Sequence, residues 1–137
     1  MSKVINSESV TIYRSQADIF NFISDFNNFG HLMPEQVVNY QSQTDSCSFE
    51  IKGLATLGLR IIEKIPYSKV TMKGEGKLPF DFKFIYASDI VTDTSAEIVL
   101  TIDADMNAFM AMMAASPLQN FVNMLAAKLK EVMESMA

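Results

Sequence analysis

A change of hydrophobic period near residue 105 places the strongest constraint on how this chain folds. Between residues 46 and 103 apolar and polar residues largely alternate, which is typical of strands. From Met106 to Met136 the period becomes helical, and this stretch holds seven of the ten methionines. Methionine is unbranched and polarizable, so a helix rich in it adapts to differently shaped neighbours. Such a helix, laid across a sheet, either fills a core or covers a cavity.

Alternation of apolar and polar residues predicts a run of strands. They are predicted over residues 3–13, 36–42, 46–52, 56–65, 69–73, 80–86 and 95–103. The short gaps between them predict hairpins and therefore an antiparallel sheet. Residues 74–79 are predicted as a loop. The Ile61-Ile62 pair interrupts the alternation and predicts a bulge, which would turn Ile62 inward and Glu63 outward.

Capping residues mark where the helices begin. Ser15 is predicted to cap a first helix, and a second short helix is predicted to end before Pro34. Asn107 is predicted to cap the helix that follows the last strand. A proline inside one continuous helix costs about 3 kcal/mol, so Pro117 predicts a break or kink, with a fresh start capped by Ser116. The helix beyond it carries one apolar stripe: Leu118, Phe121, Val122, Leu125, Leu129, Val132 and Met136.

Length and composition exclude several classes of protein. A chain of 137 residues predicts one domain over residues 1–137. The formal net charge of -5 argues against nucleic acid and against an anionic membrane surface. No apolar run approaches the roughly 20 residues that span a bilayer, and the N-terminus lacks the apolar core of a signal peptide. With Cys47 as the only cysteine, no internal disulfide is possible. We therefore expect a cytoplasmic protein, and the oligomeric state is left open.

The order of elements is a strand, two short helices, a run of antiparallel strands and a long C-terminal helix. This order resembles the START-like superfamily, also called SRPBCC, over the whole chain. The opening segment resembles its polyketide cyclase/dehydrase-type branch. In that branch the first strand is followed by the pattern Ser-x-x-x-[hydrophobic]-[aromatic]-x-[hydrophobic]-[hydrophobic]-x-Asp-[aromatic]. The matching positions here are Ser15, Ile19, Phe20, Phe22, Ile23, Asp25 and Phe26. Many relatives carry a tryptophan before the proline; this chain has none, and Phe29 or Leu32 is expected to replace it.

The resemblance implies an α+β helix-grip fold, in which a curved antiparallel sheet of about seven strands wraps around the C-terminal helix. It also implies a cavity between the two for lipids, polyketides or other apolar molecules. The apolar strand faces and the methionine-rich helix agree with such a site, since small-molecule pockets are mostly apolar. A closed core is the alternative. The residues predicted to line the cavity are Phe49, Leu59, Met72, Phe82, Phe84, Leu100, Met110, Met113, Phe121 and Leu125.

Few residues could carry chemistry. His31 is the only histidine and could act as a general base, although a surface or loop histidine is the favoured interpretation. Glu63 would be an acid with a raised pKa if it pointed inward, and the predicted bulge favours the outward position. Tyr86 completes the weak catalytic candidates. Cys47 lies on an apolar strand face and is interpreted as an inert core residue.

No metal or cofactor is expected from the sequence. One cysteine and one histidine cannot make a zinc site, and the aspartates near residues 89–105 lack the spacing of a calcium loop. Gly74 and Gly76 precede a predicted strand rather than a helix, so they do not form a phosphate loop.

The favoured function is non-catalytic binding or transport of a small hydrophobic molecule. A cyclase or dehydratase acting on a polyketide-like substrate ranks second, because the predicted inner faces hold almost no acid or base. A protein-interaction or chaperone-type module with a closed core is the third possibility, and an exposed apolar patch would favour it.

Overall fold

Residues 2–52, 55–76 and 80–136 are described by a computed structural model. Within these ranges eight strands form one curved antiparallel sheet: β1 (Ser2–Asn6), β2 (Val10–Ile12), β3 (Val37–Ser42), β4 (Ser46–Ile51), β5 (Ala55–Ile65), β6 (Lys69–Gly76), β7 (Phe82–Thr92) and β8 (Ser95–Asp105). The helices are α1 (Gln16–Ile23), α2 (Phe26–Phe29), which continues into a 3₁₀ turn (Gly30–Leu32), and α3 (Ala108–Ser135). The predicted helix-grip architecture is confirmed. None of the described helices combines the length and the apolar composition that crossing a bilayer requires.

The sheet has the order β1-β8-β7-β6-β5-β4-β3, and β2 also pairs with β8. Residues 3–13 were predicted as one strand, and this prediction is wrong because they form β1 and β2 with a gap between them. At the gap, two hydrogen bonds between Ser7 and Leu100 take the place of the regular pairing between strands. Its N–H donates to the Leu100 carbonyl (2.7 Å), and its hydroxyl accepts from the Leu100 N–H (2.9 Å). The side chain of Ser7 thus supplies the bond that a straight strand would have made with its backbone.

The predicted bulge in β5 is present. The register between β5 and β6 shifts between Ile61 and Glu63. Ile61 pairs with Met72 and Glu63 with Thr71, so Ile62 is the extra residue. The prediction that Ile62 turns inward is wrong, because its side chain is 50% exposed. Glu63 points outward, as predicted.

Strand β6 extends further than predicted. It continues through Gly74 and Glu75 to Gly76, where the sequence indicated a loop. These residues pair with Leu59, Gly58 and Leu57, so the backbone of β5 holds them in the sheet. Residues 77–79 of the predicted loop lie outside the described residues.

Helix α3 runs without interruption through Pro117, so the predicted break and the fresh start at Ser116 are wrong. Ala114 before the proline and Leu118 after it both pack against the core. Packing on both sides therefore outweighs the cost of the missing hydrogen bond. A kink at Pro117 remains a prediction.

The ends of the helices follow the predicted caps. The Asn107 side chain accepts from the Met110 N–H (2.8 Å), and the Ser15 hydroxyl accepts from the Asp18 N–H (3.1 Å). The predicted apolar stripe of α3 faces the core, except at its end. Met136 lies beyond the helix and is 48% exposed, and Met133 is buried one turn earlier.

Candidate functional site

An apolar cavity of about 380 Å³ lies between the inner face of the sheet and the middle of α3. Strands β3, β4, β5, β7 and β8, the segment before β3 and helix α3 all contribute to its wall. Its volume falls at the lower end of the range of about 300–1,000 Å³ that small-molecule sites occupy.

Paired residues on neighbouring strands form the sheet wall. Phe49 pairs with Leu57 across β4 and β5, and Phe84 pairs with Ile102 across β7 and β8. All four side chains are buried and line the cavity. Each pair places two apolar side chains side by side on the inner face, as strand alternation requires. The ring of Phe29 meets the ring of Phe84 edge to face, with centroids 5.9 Å apart, and joins the short helices to this wall.

A glycine lets one aromatic ring lie close to the backbone of the sheet. A Cβ atom on Gly74 would be 2.2 Å from Phe82 Cε1, which no real packing tolerates. Gly74 occupies the inner face of β6, two residues after Met72. The Phe82 ring therefore occupies space that a side chain at position 74 would take.

The helix contributes both wall and mouth. Leu125 is buried, while Leu118 and Phe121 are half-buried. Four further lining residues are exposed and mark where the cavity meets solvent: Gln36, Pro117, Asn120 and Met124.

Polar groups are scarce along this surface. Among the described lining residues, Gln36 and Asn120 alone have polar side chains, and none has a titratable one. The arrangement can therefore bind apolar groups and hold a hydrogen-bonding group at the mouth. The described wall offers no general acid or base.

Six of the ten residues predicted to line the cavity lie on its wall: Phe49, Leu59, Phe82, Phe84, Phe121 and Leu125. Met72 and Leu100 are fully buried in the core but do not line the cavity. Met110 is half-buried away from it, and Met113 is 65% exposed. Met113 falls outside because it lies one helical turn before Pro117, where the helix wall of the cavity begins.

Several lining residues were missed by sequence reasoning. Met33, Pro34, Gln36 and Val37 come from the turn into β3, where no period distinguishes inward from outward residues. The one sequence feature that could have indicated them is the run of apolar residues that follows His31. Asn120 was missed because it is polar and lies at the edge of the helix stripe.

The weak catalytic candidates do not come together. His31 is exposed in the 3₁₀ turn. Glu63 lies on the outer side of β5, where its Oε1 accepts from Thr71 Oγ1 (3.3 Å) and lies 3.7 Å from Lys69 Nζ. Tyr86 is buried, and neither it nor the other two candidates lines the cavity.

The Tyr86 hydroxyl is an unusual buried group. It has no hydrogen-bond partner of good geometry among the described residues. Burial raises the pKa of Tyr86 to about 12, and the neighbouring Ser88 hydroxyl offsets part of the rise. Tyr86 is therefore neutral at ordinary pH and is not poised as a base.

Cys47 is buried on β4, and burial raises the pKa of its thiol. The thiolate is thus disfavoured, as in an inert core cysteine. No three His, Cys, Asp or Glu side chains within the described ranges come together as a metal-binding group.

Comparison with known proteins gives structural but not sequence matches. No protein-family model and no curated protein matches the chain. Norcoclaurine synthase from Thalictrum flavum, in complex with dopamine and hydroxybenzaldehyde, is 13% identical with a TM-score of 0.77, over 100% of this chain and 89% of that chain. A START superfamily protein from Mycobacterium smegmatis is 11% identical with a TM-score of 0.74, over 98% and 99% of the two chains. A protein from Chromobacterium violaceum is 12% identical with a TM-score of 0.74, over 96% and 97%.

At these identities the likeness concerns the fold alone. In all three cases the structural match extends over at least 96% of this chain. The chain therefore has the START-like helix-grip fold.

Proposed function

We propose that this protein binds and carries a small hydrophobic molecule in the cavity between its sheet and α3, without catalysing a reaction. The observation that supports the proposal is the apolar cavity, which has a volume of about 380 Å³ and opens to solvent beside Pro117 and Met124. A bound apolar molecule would replace contacts with water by packing contacts along this wall.

The expected affinity is moderate. Each buried methylene group contributes about 0.8 kcal/mol, so ten of them contribute about 8 kcal/mol. Loss of translational and rotational freedom offsets part of this gain. A binding free energy of 8.2 kcal/mol corresponds to a dissociation constant of about 1 µM. Burial of ten methylene groups of a ligand therefore gives, by itself, a dissociation constant no tighter than about 1 µM.

The cyclase or dehydratase alternative ranks lower. That chemistry needs an acid and a base in contact with the substrate. His31 and Glu63 lie on the surface, and Tyr86 does not line the cavity. The described wall supplies no other titratable side chain.

Binding is tested with native mass spectrometry and with a neutral fluorescent probe, N-phenyl-1-naphthylamine. An apolar adduct that is lost on denaturation, or a rise in probe fluorescence that saturates, supports the proposal. A bare protein that leaves the probe unchanged contradicts it and favours a closed core.

A cavity-filling variant locates the site. Leu57 is buried on the wall, so Leu57→Trp places a larger ring in the cavity and should weaken probe binding at least about tenfold. Val91→Trp is the matched control, since Val91 is 54% exposed and does not line the cavity. Circular dichroism must show both variants folded. Equal probe binding by the two would place the site elsewhere.

A protein-interaction role is the second candidate. Phe109, Met112 and Met113 are 67%, 72% and 65% exposed near the start of α3, and together they form an exposed apolar patch. Sedimentation velocity of the wild type and of a Met112→Glu, Met113→Glu double variant tests self-association through this patch. Association lost in the variant would support the role, and a wild-type monomer at tens of micromolar would contradict self-association.

A further inference from the structure

Resting on the proposed binding function, we infer that the ligand is a neutral amphiphile whose polar end is held at the cavity mouth by the side-chain amides of Gln36 and Asn120. The other described lining side chains are apolar. The inference goes beyond a hydrophobic ligand, since it specifies the chemistry of one end and the residues that bind it.

Both amides are free to bind a ligand. Neither Gln36 nor Asn120 makes a side-chain hydrogen bond to any described residue. The polar residues beside Asn120 on α3, in contrast, already form hydrogen bonds within the protein. Gln119 Nε2 donates to the Asn6 carbonyl (2.7 Å), and Asn123 Oδ1 accepts from the Glu8 N–H (2.8 Å).

The two amides are carried by fixed backbone on separate elements. The Gln36 carbonyl accepts from the Lys52 N–H (2.9 Å), which ties the start of β3 to the end of β4. Asn120 lies within α3, one residue before the half-buried Phe121. The mouth therefore presents one amide from α3 and one from the turn before β3.

Carboxamides select neutral polar groups. Each offers a carbonyl acceptor and an NH₂ donor, so each can bond to a hydroxyl, ester or amide in either direction. A carboxylate or an ammonium group would find no opposite charge among the described lining residues. The net charge of -5 further opposes an anion.

The cavity volume bounds the size of the apolar body. A space of about 380 Å³ holds roughly a dozen groups of water size, at about 30 Å³ each. 1-Decanol, with a ten-carbon chain and one hydroxyl, is a suitable test ligand. Decanoate has the same chain with a charged end.

The experiment is displacement of N-phenyl-1-naphthylamine by each compound at neutral pH. In the wild type, 1-decanol should displace the probe at a concentration at least about fivefold lower than decanoate does. In a Gln36→Leu, Asn120→Leu double variant, 1-decanol should bind about five- to tenfold more weakly relative to the probe, as expected for two lost hydrogen bonds. Gln41→Leu with Asn21→Leu is the control, because both residues are exposed and neither lines the cavity.

The outcomes separate this inference from the function on which it rests. Equal displacement by decanol and decanoate in the wild type, or an unchanged decanol-to-probe ratio in the double variant, would overturn the inference and leave the binding function standing. A wild-type protein that does not bind the probe would overturn both.

Discussion

The two parts of α3 differ in how deeply their apolar side chains are buried. The first part, residues 108–117, exposes Phe109, Met112 and Met113. The second part, residues 118–135, buries one side chain after another along a single stripe: Val122, Leu125, Ala126, Leu129 and Met133. One helix thus contributes an apolar surface at its start and a core element at its end.

Polar contacts reinforce the difference. In the second part Lys130 Nζ donates to the Thr11 carbonyl (2.6 Å), and the Met133 carbonyl accepts from Arg14 Nη1 (2.8 Å). These bonds fasten the end of α3 to β2 and to the segment that follows it. From Met106 to Ala127 the chain has no charged residue, so the first part has none with which to form an ion pair.

The cavity lies where the two parts meet. Its helix wall begins at Pro117 and ends at Leu125. The comparison indicates that the second part of α3 supplies stability, and that Pro117 lies at the exposed edge of the cavity. Substitutions in the two parts should therefore have effects of different kinds and sizes.

Truncating one buried residue should have the largest effect. Leu129→Ala removes a fully buried side chain and should lower the free energy of unfolding by about 2–5 kcal/mol. Met113→Ala, in the exposed first part, should change it by no more than about 0.5 kcal/mol. Urea unfolding followed by circular dichroism measures both. Similar losses in the two variants would show that the first part is as firmly packed as the second.

Replacing Pro117 should change the free energy of unfolding by less than Leu129→Ala does, and in the opposite direction. Pro117 lacks the N–H that would bond to the Met113 carbonyl, so Pro117→Ala restores a helical hydrogen bond and removes a steric conflict. We expect the free energy of unfolding to rise by about 1–2 kcal/mol, since the greater freedom of the unfolded chain offsets part of the gain.

Ser116→Ala is the control for this variant, because it changes an exposed neighbour without changing the hydrogen bonds of the helix. Urea unfolding of the two variants gives the comparison. A loss of stability in Pro117→Ala, with Ser116→Ala unchanged, would mean that the proline fits a local geometry that an ordinary helical turn does not reproduce.

Periodicity predicted the parts of the molecule that depend on local pattern. The inner face of β8 and the stripe of α3 follow from the spacing of apolar residues such as Ile98 and Leu125, because one face of each element is buried. The break between β1 and β2 does not follow from local pattern. It depends on the bonds of Ser7 to Leu100, a residue 93 positions away.

The candidate site was less predictable for the same reason. Strand alternation indicated the wall residues of β4, β5 and β7, including Phe49 and Phe84. The mouth is formed where α3 passes the turn into β3, so it depends on how separate elements pack. No spacing in the sequence relates Gln36 to Asn120. The prediction of a helix break failed similarly, since packing on both sides of Pro117 outweighs the local preference.

The smallest expected effect concerns the charge that ties the end of α3 to the start of the chain. Glu134 Oε2 accepts from Lys130 Nζ (2.6 Å) and from the Tyr13 N–H (3.0 Å). These two hydrogen bonds, that from Lys130 first, hold the pKa of Glu134 below its ordinary value of 4.5. Because the pKa is lower in the folded state, the contribution to stability is present above pH 4.5 and is lost as the pH falls through the folded value.

Glu134→Gln should therefore lower the melting temperature slightly above pH 5, and the difference from the wild type should disappear as the pH approaches about 3. The effect should be small and should shrink further in 0.5 M salt, because the carboxylate is exposed to solvent. Glu131→Gln is the matched control, since the Glu131 carboxylate contacts Lys128 on the same helix (3.5 Å) and bonds to no other element among the described residues. Thermal unfolding of the three proteins from about pH 6 to about pH 3 measures the difference. A pH-independent difference for Glu134→Gln would mean that the glutamate acts through its shape and hydrogen bonding, and that its charge does not hold the second part of α3 in place.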